Sequence, residues 1–478
     1  MKVIKNYLYN MSYQIFILIV PLLTTPYLAR VLEPKGIGIV TFTNSITQYF
    51  IIFGSIGVSL YGSRQIAFVR EDKMKLSKTF YDIFFLRLIT IFLSLILFFI
   101  FLSFLHKYKQ FYIVQSFSII AAAFDISWFF QGIENFKVTV LRNFIIKVIT
   151  IVSIFTLVKT SNDLALYIFI ISISLLIGNL SLFPYLKNNI EKPQWNNINL
   201  IIPFKGAMIF FIPEVATQIY LYVNKTMLGI ITNPTISGYF EQSDKIIKMS
   251  LAVVTSIGMV MLPHVANAHK QGNHQRVKNY LYKTFEFVTM LSIPLAFGIS
   301  AIASNLVYLY LSDKFLQVIP ILMIESIVII LIAWSNAIGI QYLMPTEQNK
   351  VFNYSVILGA IINIILNFPL IILWGAIGTA ISTIISELAV TIYQIWSIRE
   401  QINLKNLFSD FYKYMFSGIL MFLIVFIINK NYVPTWTHLM IEITIGMISY
   451  SVLLLILKPN LIKIILDNSK NFLKNKFS

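Results

Sequence analysis

The sequence predicts an all-α membrane protein of about fourteen transmembrane helices, built as two six-helix pseudo-symmetric lobes plus two C-terminal helices. Three observations lead there. Of 478 residues, 57% are hydrophobic and only 12% charged, too few polar groups to cover a soluble domain of this size. Apolar runs of about 20 residues, each able to cross a hydrocarbon core of roughly 30 Å, alternate with short polar segments. The first half of the chain also recurs in the second at a shift near 200 residues.

The expected spans of the first lobe are 11–32, 38–60, 80–104, 111–131, 139–158 and 163–184. Lys2 and Lys5 precede a full-length apolar run without an A-x-A-like exit, so the first span is expected to stay in place. The second lobe follows with 207–231, 240–266, 284–306, 317–343, 351–372 and 375–397, and the added pair is 412–429 and 437–457. The resulting domain reading is an N-lobe at 1–184, a cytoplasmic linker at 185–204, a C-lobe at 205–400, two additional helices at 401–458 and a basic cytoplasmic tail at 459–478. The linker, "YLKNNIEKPQWNNINLIIPF", is asparagine-rich and holds two prolines. Pro21, Pro26, Pro213, Pro263 and Pro294 lie in or at the ends of spans and can kink them.

No connecting segment exceeds about 20 residues, which leaves no room for a soluble catalytic domain and excludes most enzyme classes. With the N-terminus inside, the inner segments hold 25 Lys and Arg and the outer ones 6, a bias that places both termini in the cytoplasm. The net charge of +17 is therefore mostly topogenic, and no nucleic-acid partner is expected. The basic tail is expected to lie on anionic lipid headgroups. The absence of cysteine excludes disulfides and thiolate chemistry. No phosphate-binding G-x-x-x-x-G-K-[ST] loop and no H-E-x-x-H occur, and His264, His269 and His274 recur at steps of five, which spreads them around a helix. No metal or cofactor is expected.

The repeat aligns Gly36–Arg70 with Ile236–Lys270 without a gap, so that Gly38 meets Gly238, Asn44 meets Asp244 and Gln48 meets Lys248. After a five-residue slip, "KTF" at 78–80 matches "KTF" at 283–285. An even number of spans per copy makes the copies parallel, related by an axis along the membrane normal, with a central cavity expected between them.

The span "EVATQIYLYVNKTMLGII" carries Glu214, Gln218, Tyr222 and Lys225 on one face, with Asn224 beside it. Such a stripe is expected to line water rather than lipid, where a central Lys or Glu costs about 2.5 kcal/mol or more. The same test selects Asn44, Gln48 and Ser55; Glu325 and Asn336; Asn363 and Asn367; and Ser382, Ser386 and Glu387. Arg87, Asp125 and Lys147 add charges in spans 3 to 5, and Asp244, Lys245 and Lys248 in span 8. Arg87–Asp125 and Glu214–Lys225 can also be read as structural pairs.

The segments "LLTTPYLARVLEPKGIGIVTFTNSI", "YGSRQIA", "WFFQGIENFKVTVLRNFIIKV", "IPEVATQIYLYVNKTMLG", "GYFEQSDKI" and "VMLPHVA" resemble, in order, those of the Wzx-type polysaccharide-biosynthesis flippases. That family is similar in fold to lipid II flippases and to multidrug and toxin extrusion transporters. The resemblance implies passage of an undecaprenyl-diphosphate-linked oligosaccharide across a bacterial plasma membrane by alternating access, for capsule or exopolysaccharide synthesis, with a polymerase and glycosyltransferases as partners. It implies Arg30, Arg64 and Lys225 as the cationic positions. Two departures are Asn224, where the family often has Asp, and His264, where it often has Arg.

The expected substrate-binding residues are thus Arg30, Arg64, Lys225 and Lys248 for phosphate or acidic sugars, with Asn44, Gln48, Gln218 and Asn224 for the glycan. Glu214, Glu325, Asp125 and Glu387 are the carboxylates available to couple a proton or sodium ion. Alternative readings are a teichoic-acid or lipid II exporter, an ion-coupled small-molecule antiporter, and a membrane-embedded glycosyltransferase or polymerase.

Overall fold

Hydrocarbon cannot hydrogen-bond a peptide group, so a spanning chain pairs every N–H and C=O within itself. This chain does so with helices, and no strand occurs among the described residues. The computed structural model describes residues 2–467 apart from 188, 194, 432 and 465. For 2–19, 196, 212–214, 216–217, 219–220, 257–260 and 431 it describes only the backbone. The chain forms two compact units, Met1–Gly238 and Tyr239–Ser478.

The first unit holds α1 (Lys2–Ser55), α2 (Val58–Val69), α3 (Lys73–Ser103), α4 (Lys109–Ala123), α5 (Ser127–Gly132), α6 (Phe136–Leu157), α7 (Leu164–Leu180) and α8 (Ile201–Ile231). The second begins within α9 (Pro234–Lys270) and continues through α10 (His274–Tyr310), α11 (Val318–Glu325), α12 (Val328–Ile338), α13 (Asn349–Trp374), α14 (Ala376–Ile398), α15 (Leu404–Leu407), α16 (Phe411–Asn431) and α17 (Trp436–Leu457). The compact first unit thus extends through α8, which packs on α1 and α2.

Among the described residues, eleven helices are long and apolar enough to cross a membrane, or twelve if the pair Pro234–Ser256 and Met261–Lys270, bent by 43°, counts as one span. The expected fourteen spans map onto fewer helices for two reasons. Spans 1 and 2 run together as α1 through a kink at Glu33 (φ 59°), the residue before Pro34, where the proline ring disfavours helical geometry. Span 7 crosses residues whose side chains are not described, leaving Ile201–Phe211 as a shorter apolar helix. Span 4 is divided at Asp125 into α4 and α5, and span 10 at Ser326–Ile327 into α11 and α12.

Each unit has an aromatic centre, and the two centres correspond. In the first, the Phe80 ring stacks on Trp128 at 5.6 Å and 24°, with Phe129 edge-on at 5.2 Å. In the second, Phe285 stacks on Trp334 at 5.4 Å and 26°, with Phe408 edge-on at 5.2 Å. Phe80 and Phe285 are the phenylalanines of the two "KTF" triplets. A second correspondence is polar. The Gln115 amide of α4 bonds the hydroxyls of Thr43 and Thr47 of α1 at 2.9 and 2.6 Å. The Ser243 hydroxyl of α9, at the position of Thr43 shifted by 200, donates to Glu325 of α11 at 2.5 Å.

The repeat also meets itself directly. A Cβ added at Gly38 would come within 2.1 Å of the Pro234 carbonyl oxygen, and one added at Gly238 within 2.7 Å of the Gly38 nitrogen and 3.0 Å of the Pro34 carbonyl oxygen. Pro34 and Pro234 are themselves related by the shift, so the contact is reciprocal. The start of α9 and the second half of α1 approach here more closely than any residue with a side chain allows.

Candidate functional site

Polar residues in a bilayer are stable when they satisfy one another or face water, and both solutions occur here. Along the α1–α8 contact, the Tyr49 hydroxyl donates to Thr226 Oγ1 at 3.0 Å, and Thr226 donates to Ser45 Oγ at 2.8 Å. This chain of hydroxyls fixes the register of the two helices. Asn44 and Lys225, the chain neighbours of Ser45 and Thr226, are thereby held at the same depth. Asn224 is buried, Lys225, Gln218, Asn44 and Gln48 are half-buried, and Gln48 donates to Asn44 at 3.4 Å. The Ser237 hydroxyl, at the start of α9, donates to the Lys225 carbonyl at 2.9 Å and ties the turn between α8 and α9 back to α8.

Arg30 lies on the exposed side of α1, one turn from Pro26, whose carbonyl accepts from Nη1 at 3.1 Å. Arg64 is exposed on α2 with its guanidinium 5.4 Å from the centre of the Phe68 ring. Of the eight expected substrate contacts, six therefore sit on the paired helices α1 and α8, and Arg64 on the adjoining α2. Lys248 belongs to the second unit, where it pairs with Asp244 at 2.7 Å, as Lys245 does with Glu241 at 3.4 Å.

The expected coupling carboxylates occupy four different settings. Glu214 lies outside the residues whose side chains are described. Asp125 sits at the α4–α5 break, where its carboxylate accepts from Ser127 N at 3.0 Å and from Arg87 at 3.5 Å, and its carbonyl accepts from the Trp128 indole at 3.0 Å. Arg87, 3% exposed, also donates to the Ala122 carbonyl at 2.6 Å and to Ser59 at 3.1 Å. These bonds pin a broken helix. Glu325 is buried on Ser243, and Glu387 is buried on α14.

Four residues that the spacing assigned to a wet face are instead internal to helix packing. Asn363, Asn367 and Ser382 bond one another across α13 and α14 at 2.8–3.3 Å, and Ser386 bonds back to the Ser382 carbonyl, all at 0% exposure. Small residues and amides are how membrane helices adhere when lipid offers no hydrophobic drive, so a polar stripe alone does not distinguish glue from lining. Sequence reasoning also passed over Glu442 of α17, fully buried and bonded by Asn305 at 2.6 Å and Asn429 at 3.2 Å. A glutamate inside an apolar span was the signal that could have found it.

A bundle of apolar helices long enough to cross a bilayer, with cations and amides gathered on the paired helices α1 and α8, defines a multi-pass membrane protein. The family described as "Polysaccharide biosynthesis protein" matches residues 3–269. The chain belongs to that family. It is 26% identical over 388 residues, 80% of this chain and 93% of the relative, to a protein of Escherichia coli (strain K12) named "Putative O-antigen transporter". Among solved structures it is similar to "Lipid II flippase MurJ, inward closed conformation", at a TM-score of 0.78 and 16% identity over 95% of this chain and 100% of that one. It is also similar to an inward-facing multidrug resistance MATE family transporter of the MOP superfamily, at a TM-score of 0.62 and 14% identity over 83% and 94%.

Proposed function

We propose that this chain is a flippase that carries undecaprenyl-diphosphate-linked oligosaccharide units from the inner to the outer leaflet of a bacterial plasma membrane, by alternating access, with both termini in the cytoplasm. The observation that supports the reading is the α1–α8 pair, where hydroxyl bonds fix the register of the two helices that carry Asn44, Gln48, Gln218, Asn224 and Lys225. A diphosphate and several sugars cannot cross hydrocarbon unsolvated, and a cationic, amide-lined path replaces the water they leave. Arg30, Arg64 and Lys225 serve the anionic end, Lys248 contributes from the second unit, and the amides serve the glycan. Glu325 and Glu387 are the better-placed carboxylates for coupling to a proton or sodium ion, because Asp125 is engaged in holding the α4–α5 break.

The likeness to a lipid II flippase favours, as a second reading, a related lipid-linked substrate such as lipid II or a teichoic-acid precursor. Reconstituted protein supplied with each lipid-linked substrate, with outer-leaflet appearance as readout, separates the readings. Appearance of the oligosaccharide lipid above that of lipid II supports the first. Transport of neither, together with drug efflux, would replace both with a small-molecule antiporter.

A further inference from the structure

We infer that the first unit holds a second anion site, distinct from the α1–α8 contact, that takes the phosphate group of a lipid at mid-bilayer depth. The site is a cleft of about 230 Å³ between α1, α6 and α7. Its polar lining is Thr24 of α1, Arg142, Asn143, Lys147 and Thr150 of α6, and Tyr167 and Ser174 of α7, two cations and five neutral polar groups, and no carboxylate lines it among the described residues.

Lys147 is the decisive residue. It lies ten or eleven residues from either end of α6, roughly 15 Å at 1.5 Å per residue, and so at the level where an ammonium is least tolerated. Among the described residues its ammonium has neither a hydrogen bond nor an ion pair. Arg142, one and a half turns nearer the start of α6, is anchored differently. It donates to Asn179 Oδ1 at 3.1 Å, and Asn179 is itself tied to the Ala121 carbonyl at 2.6 Å. Asp125, at the α4–α5 break, is bonded by Arg87. An unanswered cation beside an anchored one asks for an anion from outside the chain.

The surroundings say what kind. On the turns either side of Lys147, Phe144, Ile145, Val148 and Ile149 are exposed and apolar. A ligand reaching the cleft past them needs an apolar body and an anionic head. The cleft volume lies below the roughly 300–1,000 Å³ of pockets that enclose drug-sized ligands, so it suits one head group and not an oligosaccharide. Both a bilayer phospholipid and a prenyl diphosphate carrier have this chemistry. The inference rests on the membrane-transporter reading only through the depth of Lys147, and its test reads binding, not export.

Full-length protein in detergent is titrated with farnesyl diphosphate in one arm and phosphatidylglycerol in the other, and bound lipid is counted by native mass spectrometry. The variants are Lys147→Met, Lys147→Gln and Lys147→Arg, each with its melting temperature. We expect Lys147→Met and Lys147→Gln to weaken at least one lipid tenfold or more while melting at or above the wild-type temperature, and Lys147→Arg to restore binding. Loss in the farnesyl diphosphate arm assigns the prenyl carrier, and loss confined to the phosphatidylglycerol arm assigns a bilayer lipid. Unchanged affinity for both lipids in either folded neutral variant overturns the site, whatever the outcome of export assays.

Discussion

Charged residues inside the spans were the most legible feature of the sequence, and the structure sorts them by partner. Lys225 is positioned by its neighbours, since Thr226 fastens α8 to α1 and Ser237 fastens the following turn to the Lys225 carbonyl. Replacing it with alanine should leave those two bonds in place while lowering glycan export at least tenfold. Lys225→Arg should retain part of the export, and undiminished export by Lys225→Ala would remove the lysine from the substrate path. Arg87 is the opposite case. Its bonds to Ala122, Ser59 and Asp125 all lie within the first unit, so Arg87→Met should cost about 1.5–3 kcal/mol of stability through the loss of charge-assisted bonds. Equilibrium unfolding of the purified protein measures it. Nothing in residue spacing separated these two cations. The partners of Arg87, 28 to 38 residues away in sequence, are invisible to periodicity.

Glu325 poses a sharper question, because the corresponding bond in the first unit is made by an amide, Gln115. Glu325→Gln places that amide in the second unit, and folding should be unaffected. An amide cannot take up a proton or hold sodium as a carboxylate does, so we expect export to fall tenfold or more if coupling runs through this position. Wild-type export by the folded variant would leave Glu325 as a packing residue like its counterpart.

At the scale of elements, the apolar runs marked the spans, but their boundaries obey backbone geometry that hydropathy does not register. Span 1 passes into span 2 without a loop because Glu33 takes a positive φ before Pro34 and the helix resumes at once. At the repeat-related position, Asn233 precedes Pro234, caps α9 by accepting from Ile236 N at 3.2 Å, and the chain breaks cleanly into two helices. The proline thus accompanies a kink in one copy and a turn in the other. The α13–α14 pair shows the other limit, since amides expected to face water lock two helices together instead. Close packing at Gly38 makes a direct prediction. A Gly38→Leu side chain would occupy the position of the Pro234 carbonyl, so α1 and the start of α9 must separate. Export should be lost, with the melting temperature down by several degrees. A Gly38→Leu variant with wild-type export and stability would show that this approach is not required.

For the whole molecule, the repeat was the most informative long-range feature of the sequence, although few identities supported it. It survives as geometry. Phe80 on Trp128 and Phe285 on Trp334 are stacked alike, and burying such rings stabilises by amounts that depend on how the site collapses when one is removed. Phe80→Ala and Phe285→Ala should therefore cost similar amounts, about 3–5 kcal/mol each. Thermal denaturation of the two variants under one condition compares them. A large loss for one with none for the other would mean that the two aromatic centres do not carry equivalent loads.

The reciprocal approach of Gly38 and Gly238 has a consequence for how such a chain can vary. Two identical subunits make isologous contacts, in which a patch faces its own copy, and here a patch of that kind is built into a single polypeptide. A methyl group introduced on one side takes the room the other side occupies, so neither position is free to enlarge alone.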